Sequence, residues 1–454
     1  MKKTVVIDVV GLSESVLCEH TPFINSFIAS RKKNLIQPPL PAVTTTSQSC
    51  FITGKNANEH GIVGNGWYDR IDSEVKFWKQ SNPLVLGEKI WDKAKKENPN
   101  FTCAKMFWWY NMYSTADYSV TPRPQYHADG VKAPDCYSQP AELRDELQEA
   151  LGTFPLFNFW GPNANIKSTQ WIADASIWVD QKYDPTLNLI YLPHLDYCLQ
   201  KFGPDIPKIA KELQEIDQVV KQLVEHFESK NANIILLSEY GINEVNQAIH
   251  INRFLRKKGH IAIREERGLE LLDAGASKAF SSSDHQIAHI YVKDKQDIAF
   301  IKKQLSELDG IEKLLSGKEL NEYHINHERC GDIVAIAKSN AWFTYYYWLD
   351  DNKAPDFARL VDIHRKPGYD PVEMFMNPKN PFIKLRAAYK LARKLLGFRY
   401  LMDVIPLDAS LVKGSHGSPF CEKKYYPLLI SDKDLGDEIP AKDVYDVIWN
   451  SIFN

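Results

Sequence analysis

The sequence predicts an α/β fold built on a mainly parallel sheet, and three observations predict it. Residues 4 to 10, Thr-Val-Val-Ile-Asp-Val-Val, form an almost unbroken β-branched run, the pattern of a strand buried on both faces of such a sheet. Residues 187–192 and 233–237 read as two further buried strands. Between them, residues 207–229 set Ile209, Leu213, Ile216, Val220, Leu223 and Phe227 at spacings of three and four, a single apolar helical stripe. Strand, long helix, strand is the right-handed crossover of a parallel sheet. Finally, 454 residues with 44% hydrophobic and 25% charged content are enough for one large α/β domain with insertions, or for up to about three domains.

Asp8 is the anomaly in the first strand. A carboxylate in such a run is costly unless paired, hydrogen-bonded or bound to a metal, and the carboxyl end of a parallel strand is where α/β sheets place ligands. Asp196 and Glu239 each follow a predicted strand and should reach the same sheet edge. Residues 100 to 180 are rich in aromatics and Pro and lack a clean period, which suggests a long excursion with short helices over the sheet. After Gly241 a second excursion carries a β-α-β-like stretch: a strand at 287–292, a helix near 295–307 and a strand at 332–337. The run Trp342 to Trp348 reads as an inserted strand packed on the core, with a stacking wall for a ring-bearing leaving group as the functional alternative. Residues 383–402 have helical period and many basic side chains. A packed helix with a solvated basic face is the expectation, and contact with an anionic membrane surface the alternative.

Composition narrows the function. The 55 Lys and Arg balance 58 Asp and Glu to a net charge of −3, without the basic excess of a nucleic-acid binder, so no nucleic-acid polymer is expected as partner. No run of about 18 apolar residues is present, so no transmembrane segment is expected. The opening MKKTVVIDVVGL has Asp8 in its apolar stretch and reads as a strand, not a leader. Seven scattered cysteines without a CxxC pair fit reduced thiols and a cytoplasmic location.

The most informative segment is Pro41 to Arg70, PAVTTTSQSCFITGKNANEHGIVGNGWYDR. In it Thr44, Thr53-Gly54, His60-Gly61-Ile62 and Gly64-Asn65 stand in the order found in the nucleotide pyrophosphatase/phosphodiesterase (type I phosphodiesterase) and phosphonoacetate hydrolase branch of the alkaline phosphatase superfamily, which this chain resembles. The resemblance covers residues 4–70, 187–241, 284–337 and 414–417. It implies an alkaline-phosphatase-like core made of residues 1–241 and 414–454, with the aromatic-rich excursion at about 100–185, and an inserted smaller α+β cap at 242–413. Counting back from Thr53-Gly54 puts the family nucleophile on Thr44, and the phosphate-binding Asn on Asn65, 65 − 44 = 21 residues on. A hydroxyl is a weak nucleophile near neutral pH and needs a metal or base to activate it.

The resemblance also implies two divalent metal ions, zinc in the family. One site would use Asp8, Thr44 and Glu239, the other Asp196 and His416 of Gly414-Ser415-His416-Gly417. Two positions depart from the pattern. Gln200 stands where the family has a His four residues after the Asp, and Ser238-Glu239-Tyr240-Gly241 replaces Ser-Asp-His-Gly. Gln200 and Tyr240 are therefore tentative ligands, and the oxygen-rich set opens the sites to manganese, magnesium or calcium. His285 of Ser283-Asp284-His285-Gln286 is the main candidate to replace a lost imidazole, with His194, His289 and His364 behind it. Arg365 and Lys366 are candidate phosphate binders. The implied activity is metal-dependent hydrolysis of a small-molecule phosphoric ester, most simply a diester, by a Thr nucleophile. The alternatives are a phosphonate or monoester hydrolase, and a non-catalytic or regulatory phosphate-ligand-binding protein on the same fold.

Overall fold

The structure, a computed structural model, describes residues 1–454 except Asp129. Its centre is a nine-stranded sheet in the order Glu438–Pro440, Lys32–Gln37, Leu428–Ser431, Asn233–Leu237, Thr4–Val9, Leu187–Leu192, Cys103–Met106, Tyr118–Pro122, Cys136–Gln139. The five strands from Asn233–Leu237 to Tyr118–Pro122 run parallel, with antiparallel neighbours on both sides. Thr4–Val9 is buried along its whole length, as its β-branched sequence requires. One helical group, Pro22–Ala29, Ile166–Tyr183 and Ile206–Ser229, packs together on strands Leu187–Leu192 and Asn233–Leu237. A second group, Thr44–Thr53 with Val444–Phe453, packs against Thr4–Val9 and Asn233–Leu237. The predicted stripe from Ile209 to Phe227 is buried as one face.

The first excursion differs from expectation. Instead of crossing the sheet as short helices, it extends the sheet with Cys103–Met106, Tyr118–Pro122 and Cys136–Gln139, then returns through the eighteen-residue helix Ile166–Tyr183. Strands of four and five residues are too short to display a period, which is why the sequence hid them.

The second excursion carries a four-stranded antiparallel sheet in the order Ala279–Asp284, Ile287–Val292, Ile333–Ala337, Ile311–Ser316. The β-α-β reading is corrected here: Ile287–Val292 and Ile333–Ala337 are neighbours but antiparallel, because an extra strand reverses the chain between them. The Trp342 to Trp348 run is buried throughout and offers no free ring face to a ligand. Its Ala341–Phe343 strand pairs with Gln247–Ile249, so the run begins as a packed strand and continues as buried irregular chain. The helix expected near residue 383 is present and rests on the core through Ile383 and Ala387, but its outer face is apolar as well as basic. It spans Ile383–Leu395, with none of its residues fully buried.

Candidate active site

Register brings the predicted residues to one edge. Asp8 lies opposite Tyr191 and Leu237, so Glu239 and Tyr240, just past Leu237, and Asp196, in the first turn of helix His194–Phe202, gather at the carboxyl ends of the parallel strands. Thr44 opens the wholly buried helix Thr44–Thr53, whose N-terminus carries the positive end of the peptide dipoles. The loop at 414–417 is pinned on both sides. Ala42 N donates to Gly417 O at 3.0 Å, and Gly414 lies so close to Leu199 O that a Cβ there would meet it at 2.1 Å.

The three consecutive threonines are sorted by their hydrogen bonds. Thr45 Oγ1 donates to Gly64 O at 2.8 Å and Thr46 Oγ1 to Ile62 O at 3.0 Å, so both hydroxyls serve the backbone. Thr44 Oγ1 instead lies 3.1 Å from Tyr240 Oη and beside the Glu239 carboxyl, whose pKa it helps to lower. Gln48, one turn on, donates to Glu239 Oε1 at 2.5 Å and accepts from Trp109 N at 2.8 Å. Neither Asp8 oxygen, nor Oε2 of Glu239, receives a hydrogen bond from a described residue, although all are fully buried. Burial raises the Asp8 carboxyl to about 7. It also carries Glu239 well above the usual carboxylate range, with the adjacent Asp8 charge adding to the rise. Two buried carboxyls so placed need a proton or a cation between them.

The second group of predicted residues is engaged differently. Asp196 Oδ2 accepts from Gln200 Nε2 at 2.8 Å and Oδ1 from Tyr240 Oη at 3.2 Å, while Gln200 Oε1 accepts from Tyr369 Oη at 2.9 Å. His416 donates Nδ1–H to Ala42 O at 2.8 Å, which leaves the lone pair on Nε2, 3.8 Å from Asp196 Oδ1. Four rings stack in a column. Tyr240 lies on His416 at 3.5 Å, His416 against His285 at 3.8 Å, and His285 on Tyr369 at 3.7 Å. Burial raises Asp196 to about 6, keeps Tyr240 protonated and lowers both imidazoles, so His285 and His416 are neutral.

His285 reaches this column from a two-residue hairpin turn in which its φ is +60°, a left-handed conformation that aims its ring inward. Asp284 holds the turn. Its Oδ1 accepts from His285 Nδ1 at 2.7 Å and from Asn65 Nδ2 at 3.1 Å, and its Oδ2 accepts from Asn65 N at 2.8 Å. Asn65 Oδ1 accepts from Thr45 N at 3.2 Å, so the amide is locked in orientation with one N–H left to donate.

The other candidates are engaged by partners of their own. Lys366 is buried between Asp370 and Glu373, each 2.7 Å away, so its ammonium is fully paired. Arg365 is half exposed and pairs with Asp356 at 2.9 Å. Both charges are thus matched by neighbouring carboxylates, Lys366 in a buried cluster and Arg365 at the surface. His289 bonds Val63 O, His364 bonds Phe77 O, and His194 faces Glu215. Lys366→Met should cost about 3–5 kcal/mol of stability, because it strands two buried carboxyls, and urea unfolding measures this.

Gln48 and Tyr369 belong to the shell around Thr44 without being among the sequence candidates. Gln48 sits four residues after Thr44, a helical same-face spacing that could have revealed it. Tyr369 gave no such signal. Over the site lies an aromatic wall: Trp78 contacts Trp109 at 4.7 Å and Tyr369 at 6.1 Å, and Trp160 contacts Tyr369 at 5.8 Å and Tyr197 at 5.6 Å.

This sheet, its helical layers and the inserted antiparallel subdomain are the fold of the alkaline-phosphatase-like α/β proteins. Two solved structures share it. Murine ectonucleotide pyrophosphatase/phosphodiesterase 5, an inactive variant in complex with AMP, matches with a TM-score of 0.60 at 13% identity over 100% of this chain and 95% of that one. Phosphonoacetate hydrolase from Sinorhizobium meliloti, in complex with phosphonoacetate, matches with a TM-score of 0.62 at 12% identity over 99% and 96%. The chain belongs to the type I phosphodiesterase/nucleotide pyrophosphatase family, whose sequence model matches residues 4–370. Among curated relatives, an uncharacterized pyrophosphatase/phosphodiesterase of Schizosaccharomyces pombe is 27% identical over 217 residues, 45% of this chain and 37% of the relative. Human ectonucleotide pyrophosphatase/phosphodiesterase family member 1 is 23% identical over 235 residues, 49% of this chain and 21% of that protein. The matched segments thus span well under half the length of these relatives.

Proposed function

We propose that the protein hydrolyses small-molecule phosphoric diesters through a covalent intermediate on Thr44. The observation that carries this reading is the sorting of the threonines: of three adjacent hydroxyls, Thr44 is the one aimed at a buried carboxyl pair and a phenol. Thr44 Oγ1 attacks phosphorus in line, forming the Thr–O–P bond as the bond to the leaving oxygen breaks. Its proton crosses Tyr240 Oη to Asp196, the acceptor at the end of the hydrogen-bonded line. The remaining N–H of Asn65 and the helix N-terminus face the negative equatorial oxygens. Water then opens the phosphothreonine. The wall of Trp78, Trp160 and Tyr369 suits a ring-bearing leaving group such as a nucleoside.

The family implies two divalent ions, and the residues here fit one. Asp8, Glu239 and the Thr44 hydroxyl offer oxygen donors with unmet charge, a hard-cation set suited to magnesium or manganese as well as zinc. Among the described residues, no three or more His, Cys, Asp or Glu side chains converge on one point, so the hydroxyl must count as a ligand. When bound, the cation would lower the pKa of the Thr44 hydroxyl and offset charge on the phosphoryl oxygens. The second set does not fit as it stands, because Gln200 and Tyr240 occupy both oxygens of Asp196 and Tyr369 occupies the amide oxygen of Gln200. No step is derived through a second ion.

Initial rates on bis(p-nitrophenyl) phosphate, p-nitrophenyl phosphate and phosphonoacetate, each with manganese, magnesium or zinc, test the substrate class. The diester should be cleaved at least about tenfold faster than the monoester. Preference for phosphonoacetate or for the monoester would contradict the reading. The engaged second set favours one alternative, a phosphate-ligand-binding protein without turnover. Saturable nucleotide binding with no hydrolysis under any of the three metals would establish it.

A further inference from the structure

Helix Ile383–Leu395 has two opposite faces, and the wrong one is outside. Ile383, Ala387, Lys390 and Lys394, at steps of four, three and four, form the half-buried face that rests on the protein. Leu385, Tyr389, Ala392 and Leu396 repeat the same steps on the opposite face and are exposed, Leu385 at 65%, Tyr389 at 59% and Leu396 at 74%. Phe382 and Leu395 widen this face at its sides, and past the Gly397 turn Phe398 and Leu401 continue it, all exposed. A folded chain rarely leaves so many large apolar side chains together in water without a partner.

The charge around that face identifies the partner. Between Lys379 and Met402 stand seven cations, Lys379, Lys384, Arg386, Lys390, Arg393, Lys394 and Arg399, and no carboxylate, in a chain whose net charge is −3. Asp403 pairs with Arg386 and Lys390, and Asp408 with Lys379. That leaves Lys384, Arg393, Lys394 and Arg399 without a carboxylate partner among the described residues. Lys384 and Arg386 lie on the two sides of the apolar face, where the headgroups would be if the face entered a bilayer edge-on. A second copy of this chain would bring the same unmatched cations into contact, and like charges oppose that pairing.

We propose that Phe382 to Leu401 is a docking surface for an anionic lipid bilayer, lying in the interface plane with Leu385, Tyr389, Leu395, Leu396, Phe398 and Leu401 inserted. No described helix is long and apolar enough to cross a membrane, so the contact is with the surface. Each unmatched cation adds on the order of 1 kcal/mol of attraction to an anionic leaflet, and the apolar face holds the helix there.

The test is co-sedimentation of the full chain with vesicles of phosphatidylcholine alone and of phosphatidylcholine mixed with phosphatidylglycerol. Binding to the mixed vesicles should be at least roughly tenfold tighter and should weaken as salt rises. The double variant Leu385→Glu, Leu396→Glu should abolish it. Lys384→Gln with Arg399→Gln, both exposed, should weaken it and flatten the salt dependence. All four positions are solvent-facing, so thermal unfolding and hydrolysis of a soluble ester should stay unchanged. Equal binding to both vesicles, or none, overturns the proposal. So does dimerisation in light scattering that the Glu substitutions abolish, which would assign the face to a second copy. Displacement from vesicles by free glycerol phosphate would also overturn it, since that would indicate a phosphate pocket.

Discussion

Thr44→Ala is expected to lower turnover by roughly four orders of magnitude or more while leaving the fold intact. The hydroxyl is the proposed nucleophile, and on its loss Tyr240 keeps its bond to Asp196. Thr45→Ala should do the reverse. Its hydroxyl donates to Gly64 O and also approaches Asn65 Oδ1 at 3.1 Å, so its removal should cost about 1–2 kcal/mol of stability and change turnover by less than about tenfold. Tyr240→Phe falls between the two, losing the proton path but keeping the nucleophile, for a drop on the order of 100-fold. Initial rates and urea unfolding on the same samples separate these outcomes. If Thr45→Ala were the dead variant, the register that singles out Thr44 would be wrong.

The second large effect concerns the carboxyl pair. Asp8→Asn should abolish turnover and cation binding, yet stabilise the chelated protein by about 1–3 kcal/mol. The substitution replaces a buried carboxyl facing Glu239 with an amide that donates to it. Wild type should gain stability when manganese is added, and the variant should not. Calorimetric titration of the metal-free wild type should give one tight divalent ion per chain. Only Gln200→His together with Tyr240→His should create a second, by freeing Asp196 and adding two imidazoles. Two tight ions in the wild type would mean that the Asp196 group opens to accept metal, and would contradict the one-ion account.

Much of this arrangement was legible because it rests on strong local signals. Thr4–Val9, Leu187–Leu192 and Asn233–Leu237 are long enough and apolar enough to read directly, and the stripe of Ile206–Ser229 fixes their crossover. Once those strands are parallel neighbours, Asp8, Asp196 and Glu239 must share an edge. The strands at residues 103–139 escaped because they are short and carry polar residues such as Lys105 and Ser119 in their interiors. The partners of the site escaped for a different reason. Tyr369 meets the core only because the inserted subdomain folds back onto the 414–417 loop, where Gln286 N donates to His416 O at 2.8 Å, and no sequence period encodes that docking. For the same reason Arg365 and Lys366 looked free in sequence but are neutralised by Asp356, Asp370 and Glu373 in three dimensions. The basic helix packs through Ile383 and Ala387, but its inner and outer faces share the same spacing, so its period alone could not tell that the outer face is apolar too.

During turnover, phosphorus should become bonded to Thr44 Oγ1. The most direct test is to mix the protein with a slowly turned-over diester in the presence of manganese, quench in acid, digest and locate the adduct by tandem mass spectrometry. A phosphoryl ester should be found on Thr44, accumulating within one turnover and missing from Thr44→Ala. Turnover without any adduct, or an adduct on Thr45, Thr46 or a histidine, would contradict it.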